Sequence, residues 1–424
     1  YVKGYSESHL DVGDRANDGI RIDGSELNCK VIGEGANLGC TQLGRIEYAL
    51  NGGRLNTDSI DNSAGVDSSD HEVNIKILVD GVLTKGGLTQ KSRNTLLARM
   101  TDEVAQLVLA HNYRQTQAMT LIEAKGVKGL ANHQRLMRFL ERQGRLDREV
   151  EYLPDDEIIS DRLLAHRGLC RPEISVMLSY AKIWLYDQIM ASNMPDDPYL
   201  FDDLVAYFPT PLQKKYKPEI SQHRLCREII ATRATNSLVD RAGDTFVLEF
   251  MEKTGLGAAV IARAYVITRE AFNLRKLWAA IEALDNRVPS TTQMDMLKNI
   301  HRLMEWVVLW FLRNGEKDLD LRTNIEAYRD GVQELVRGIN LALPEHYAAD
   351  VTAGARVYQD QGVPKNLALE VVGLVNVYSA CDVVRLAARR KTNVIAVARV
   401  YFMVGSHFRL GRLRAAAGNL DSES

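Results

Sequence analysis

Apolar positions along this chain fall into two regimes. Up to about Glu72 the apolar runs are short and broken. Val31 and Ile32 enter a glycine turn (Gly33, Gly35, Gly39), and Leu43, Ile46, Ala49 and Leu50 then recur at three and four residues before Gly52 and Gly53 end the run. That order predicts a short strand, a turn, and a helix from about Thr41 to Leu50. Upstream, the turn dipeptides Asp18-Gly19 and Asp23-Gly24 suggest a short helix before Asp14 and a hairpin-like turn before Lys30. Downstream, Asp61 to Glu72 is rich in Asp, Ser and Gly and reads as a polar loop, with Ser69 or Asp70 capping the helix that follows.

Beyond Glu72 the period becomes helical and stays so. Leu96, Leu97, Met100, Val104, Leu107, Val108 and His111 mark one face of a long helix. Further helical segments begin at Val127, at Pro154 and at Arg171, where Pro172 and Glu173 make a strong start. Pro195 to Pro218 holds five of the 10 prolines together with Tyr199, Phe201, Tyr207, Phe208 and Tyr216, which suits a packed connection. Helices resume over 220–242, 258–284, 291–312, 325–341, 345–360 and 367–413. The chain therefore reads as mainly α with a small α/β part: the end of an α/β unit over 1–70, then a large all-helical region over 71–424 with a sub-boundary at 193–219. No fixed repeat period is present.

Composition narrows the function more by exclusion than by assertion. The 424 residues are 46% hydrophobic and 25% charged, which is ordinary for a globular protein. A balance of 53 basic against 55 acidic residues gives no electrostatic case for nucleic acid or an anionic membrane. Five scattered cysteines without a CxxC pair suit reduced thiols in the cytoplasm, and no apolar run reaches the ~18–20 residues of a membrane span. Tyr1 in first place, and the polar end AAAGNLDSES, suggest a piece of a longer polypeptide.

The chemical signals concentrate near the N-terminus. GEGANLG between strand and helix approaches a dinucleotide fingerprint and would offer backbone N–H groups to an anion, with Asp58 about twenty residues on as a ribose-binding acid. Its third glycine is one place late, and no second βαβ unit follows, so taken alone it reads more readily as a plain tight turn than as an independent dinucleotide site. The nine histidines show no HExxH or paired spacing, and no metal site is expected. His71, beside Asp70 and Glu72, reads as a surface residue or a proton carrier. There is no P-loop and no GxSxG elbow.

GEGANLG and NSAGVDSSDHE, followed by MTDEVAQLVL, RPEISVMLSYAKI, YFPTPLQKKY, HRLCREIIATRATNSLVDRAG and VARVYFMVG, resemble the very large bacterial NAD-specific glutamate dehydrogenases over nearly the whole chain. The resemblance implies that residues 1–70 are the C-terminal half of a Rossmann-like NAD-binding domain. Gly35-Ala36-Asn37 matches that family's GAN turn. Asn62, Val66, Ser69 and Glu72 match its NAGGVxxSxxE loop, with Ser63 and Ala64 departing from the pattern.

By this resemblance Gly35, Ala36, Asn37 and Asn62 lie near the nicotinamide and its ribose. Val66 and Ser69 line the pocket for L-glutamate or 2-oxoglutarate, with the Ser69 hydroxyl toward the distal carboxylate. The family's catalytic lysine and aspartate match nothing in this sequence and are expected upstream. The implied whole is a cytoplasmic homo-oligomer that oxidatively deaminates L-glutamate, of which this chain alone would be inactive. The alternative is a non-catalytic helical scaffold for regulation or oligomerisation.

Overall fold

The computed structural model describes residues 1–35, 38–315 and 318–410. The described residues are mostly helical and form two compact units, Tyr1–Ala259 and Val260–Ser424.

The first unit opens with strand β1 (Val2–Lys3), helix α1 (His9–Val12) and strand β2 (Ile22–Asp23). α1 is fixed by a capping box between Ser8 and Asp11. β1 and β2 pair in parallel, Val2 opposite Ile22 and Lys3 opposite Asp23, with short 3₁₀ turns between and after them. The hairpin expected before Lys30 is therefore not formed. The intervening chain coils through α1 and Arg15–Ile20 and returns in the same direction, which a two-residue turn cannot do.

Two isolated parallel bridges extend the pattern, Val2 with Cys40 and Val31 with Arg54. The second is framed by Ile32 N–H donating to Arg54 O at 2.9 Å and Arg54 N–H to Lys30 O at 3.0 Å. Helix α2 (Gln42–Leu50) connects those two segments, and the Thr41 hydroxyl caps it by accepting from Gly44 N–H at 3.0 Å. α2 lies almost on the backbone of β1: a Cβ at Gly44 would come within 2.8 Å of the Lys3 carbonyl carbon. Only this close approach demands a glycine there.

After Arg54 the chain is helical. α3 (Asp58–Asp61) leads directly through Asn62 into α4 (Ser63–Thr84). The polar loop expected over Asp61 to Glu72 is thus the first half of a 22-residue helix that runs on through residue 70. Ser69 and Asp70 are interior positions of α4, and Glu72 pairs with Lys76 one turn on. Small polar residues are weak helix formers alone, but Asp67, His71, Ile75, Leu78 and Val82 recur at three and four residues against α6, and packing decides.

α5 (Gln90–Ala98) and α6 (Thr101–Glu123) divide the expected single helix at buried Met100. α7 (Val127–Arg142), α8 (Asp156–Leu164) and α9 (Arg171–Met190) follow. The start of α9 is held by Glu173, which accepts from Cys170 N–H at 2.8 Å and from Arg162 through two bonds of 2.7 Å. The proline-rich connection folds into α10 (Phe201–Val205), α11 (Thr210–Lys215) and α12 (Lys217–Ser221), with Leu204, Tyr207, Phe208, Leu212 and Tyr216 buried. α13 (Cys226–Ala242) and α14 (Phe246–Thr254) complete the unit. Its core is the mutual packing of α6, α9 and α13, with α4 on α6 and α2 on α9.

The division between the units falls within α15 (Ala258–Ala271). The second unit contains α16 (Leu274–Glu282), α17 (Ser290–Asn314), α18 (Leu321–Ala342), α19 (Glu345–Gln359), α20 (Lys365–Gly373), α21 (Ala380–Arg390) and α22 (Val394–His407). Here α18 packs on α21 and α22, α19 on α20, and α17 on α16 and α20. Met296, Ile300, Met304, Val307, Val308 and Phe311 form the buried face of α17, as their spacing predicts. Among the described residues no single helix is long and apolar enough to cross a membrane; one bent pair, 365–376 with α21, passes by length and composition only.

Candidate functional site

The turn after Val31 is built on one carboxylate. Glu34 is buried and accepts two bonds from Arg45, from Nε at 2.9 Å and from Nη2 at 2.8 Å, and a third from Cys40 N–H at 3.0 Å. Arg45 comes from α2, eleven residues on, and its Nη2 also lies 3.1 Å from Asp58 Oδ1. The turn is then fastened to α3. Glu34 N–H donates to Asp61 Oδ2 at 2.9 Å and Leu38 N–H to Asp58 Oδ2 at 3.1 Å.

This corrects two expectations. The N–H groups of Glu34, Leu38 and Cys40 are occupied by the protein's own carboxylates and do not await an anion. Asp58, offered by spacing as a ribose-binding acid, is tied to Arg45 and Leu38 instead. Three acids around one turn also disfavour a phosphate there.

Of the residues singled out in the sequence, Gly35 is exposed on this turn, and Ala36 and Asn37 lie outside the described residues. Asn62 closes the turn from the other side: its side-chain amide donates to Glu34 O at 2.7 Å and to Asp58 O at 3.0 Å. Both N–H groups are thereby used, which leaves the carbonyl oxygen to meet a ligand. Asn62, Val66 and Ser69 lie at i, i+4 and i+7, so they share one stripe of α4 that begins at the turn. Val66 is 66% exposed and Ser69 is also exposed, its hydroxyl donating to Val66 O at 2.8 Å.

The opposite stripe of α4 faces α6 and is polar at its N-terminal end. The Ser63 hydroxyl donates to Asn112 Oδ1 and accepts from Gln115 Nε2 at 3.3 Å. Gln115 Oε1 accepts from Lys182 Nζ at 3.0 Å, and Lys182 lies 2.7 Å from Asp240. One turn further, Asp67 Oδ2 is 2.8 Å from His111 Nδ1, and Asp67 Oδ1 is 3.7 Å from His71 Nε2.

His71 is not the surface residue expected. It is fully buried, stacked on Tyr207 at 4.3 Å, and neither ring nitrogen has a hydrogen-bond partner. Burial pushes its imidazole down to about 4 despite the pull of Asp67, so at neutral pH it is uncharged. Burial would raise the Asp67 carboxyl, but the His111 contact and neighbouring positive charge bring it below its ordinary value. Asp70 is raised by burial and by Asp67, and burial pushes Tyr207 up to about 12. An imidazole buried without a partner costs about 1–3 kcal/mol, so its retention asks for a reason. The sequence signal that could have found this cluster is Asp67-x-x-x-His71, which puts both groups on one helix face; its third member is set by packing alone.

Residues 1–122 match the family model described as bacterial NAD-glutamate dehydrogenase, catalytic domain, and residues 166–424 match the one described as glutamate dehydrogenase, C-terminal. Three curated relatives are each named NAD-specific glutamate dehydrogenase. Those from Halomonas elongata and Pseudomonas aeruginosa are 44% identical over 97% and 96% of this chain, and that from Mycobacterium tuberculosis is 37% identical over 95%. The chain spans about a quarter of the length of each. The glycine turn, Asn62 and all of α4 fall inside the stretch that matches the catalytic-domain model, and by the length of these matches the chain belongs to the bacterial NAD-specific glutamate dehydrogenase family.

Proposed function

We propose that the protein containing this chain oxidatively deaminates L-glutamate to 2-oxoglutarate and ammonia, with NAD as cofactor. The observation that carries this reading is the alignment of half-buried Asn62, at the N-cap of α4, with exposed Val66 and Ser69 on the helix, all inside the catalytic-domain match. Bound NAD would accept the substrate's α-hydrogen as hydride. The residues of this chain bind and orient. Asn62, with its amide N–H groups held by Glu34 O and Asp58 O, presents a carbonyl oxygen suited to a carboxamide N–H. Gly35 would continue that wall, and by the family resemblance Ala36 and Asn37 would bind the cofactor with it. The acids behind the turn favour the uncharged or cationic nicotinamide end of NAD over its pyrophosphate.

Val66 would contact the aliphatic part of glutamate. The Ser69 hydroxyl would turn from Val66 O to donate to the distal carboxylate, a bond to a charged group worth about 1.5–3 kcal/mol. No residue of this chain is assigned proton transfer. We keep 1–70 as the remnant of a Rossmann-like nucleotide-binding domain and 71–424 as a helical domain. The parallel bridges of Val2 with Cys40 and Val31 with Arg54 around α2 support the first. The five free cysteines support a cytoplasmic setting. The proposal includes no nucleic acid or membrane partner.

The test is Ser69→Ala in the full-length enzyme. KM for L-glutamate should rise at least tenfold with a smaller change in KM for NAD; an unchanged glutamate KM removes Ser69 from the substrate site.

A second reading, favoured by one observation, assigns the helical region to self-association. Val400, Met403 and Val404 make an exposed apolar stripe on α22, the kind of surface that a homo-oligomer would cover.

A further inference from the structure

We propose that Asp67, His71 and His111 form a mononuclear site for a divalent transition-metal ion of the zinc class, clamping α4 to α6. The inference does not rest on the glutamate reading. Two imidazoles and one carboxylate are a sufficient donor set for such an ion, with a fourth position left for water or another small ligand. One ligand atom from each residue can be chosen so that all lie within 4.8 Å of one another.

The donors, within 4.8 Å of one another, must draw together to hold an ion. Bonds of ~2.0–2.1 Å around a tetrahedral ion put the donors roughly 3.3 Å apart. The Asp67 Oδ2–His111 Nδ1 contact at 2.8 Å and the Asp67 Oδ1–His71 Nε2 contact at 3.7 Å use different oxygens, so the Asp67 carboxylate must rotate to bring one oxygen to both imidazoles. Asp67 and His71 are one helical turn apart on α4 and so approach from the same side. His111 arrives from α6.

An independent observation points to a ligand. His71 is 0% exposed and its Nε2, on the side of Asp67, has no hydrogen-bond partner. An ion would occupy that lone pair. The other two ligands keep part of their surface open, Asp67 at 26% and His111 at 27%, which gives an entry path and a direction for the fourth position.

Tyr207, stacked on the His71 ring and held by Asn74 Nδ2 at 2.9 Å, keeps that imidazole in place. Positive charge nearby does not close the site. Lys182 is already engaged by Asp240 and Gln115. Arg233 acts on His71 at longer range, while Asp70 adds a second carboxylate beside Asp67.

The experiment uses the 424-residue chain, stripped with a chelator and titrated with cobalt(II) and then zinc(II) chloride. Expected are one equivalent of cobalt with the visible bands of a tetrahedral nitrogen–oxygen site, no thiolate-to-cobalt absorption, and displacement by zinc. His71→Gln and Asp67→Asn should each weaken binding about 100-fold or more, while His166→Gln, at an exposed histidine away from the cluster, should leave it unchanged. No stoichiometric uptake by the parent chain, or uptake untouched by both ligand substitutions, overturns the proposal. Should either variant fail to fold by circular dichroism, nitrogen NMR of the parent chain decides. One equivalent of zinc must shift ring-nitrogen resonances of two histidines together, and a shift confined to one or none overturns it.

Discussion

Glu34 serves three donors at once, and through them it ties its own segment to α2 and to Cys40. Its partners Arg45 and Cys40 N–H engage both carboxylate oxygens, and both it and Arg45 are buried. Breaking such a pair strands the surviving charge in a low-dielectric interior. Glu34→Ala should cost about 3 kcal/mol in urea denaturation of the chain, at the low end of the ~3–5 kcal/mol range because Asp58 still faces Arg45. A loss under ~1 kcal/mol would mean that the turn does not depend on this carboxylate.

His223 makes a second residue-scale case. Its Nδ1 accepts from Leu225 N–H at 3.1 Å, so Nε2, 3.1 Å from Asn74 O, carries the proton in an uncharged ring. Burial lowers its pKa below the ordinary 6.5, the Asn74 carbonyl opposing, with Arg224 lowering it and Glu228 raising it. The unfolded chain therefore binds the proton first as pH falls. The contribution is full above pH 6.5 and diminishes below it, down to the folded pKa. His223→Gln should flatten this part of a stability-versus-pH curve measured by thermal melting; an unaltered slope would show that the ring titrates alike in both states.

At the scale of elements, what could be read in the chain was whatever carried its own signal. Thr41 caps α2, and Arg171, Pro172 and Glu173 open α9 where their local chemistry says they should. The buried face of α17 matches its apolar spacing. α4 shows the opposite case. Ser63, Gly65, Asp67, Ser68, Ser69 and Asp70 look like a loop because each favours turns when alone. They are helical because α6 covers one stripe of them, and α6 lies some forty residues away in sequence. The same cause hid His71: its burial comes from Tyr207 and His111, and no local window contains all three. The candidate wall was legible as a motif, in Asn62, Val66 and Ser69. That these residues line up from the N-cap of α4 along one side, while Asp67 and His71 turn inward, needed the helix.

At the scale of the molecule, the two family matches and the compact units do not coincide. The catalytic-domain match stops at residue 122 and the C-terminal match starts at 166, yet the first unit extends to Ala259. Within it α6 belongs to one match and α9 and α13 to the other, and the three share a core through Met119, Ile122, Ile174, Met177, Leu178 and Leu238. Cutting the chain anywhere in 123–165 should leave both pieces aggregated or molten, with dye-binding apolar surface, and only co-expression should restore a cooperative melt; two independently well-folded pieces would contradict this. A recombination event at that seam would exchange half of a core and leave its other half behind. A chimera of two relatives should therefore fold only if its crossover respects the surface that α6 shares with α9 and α13.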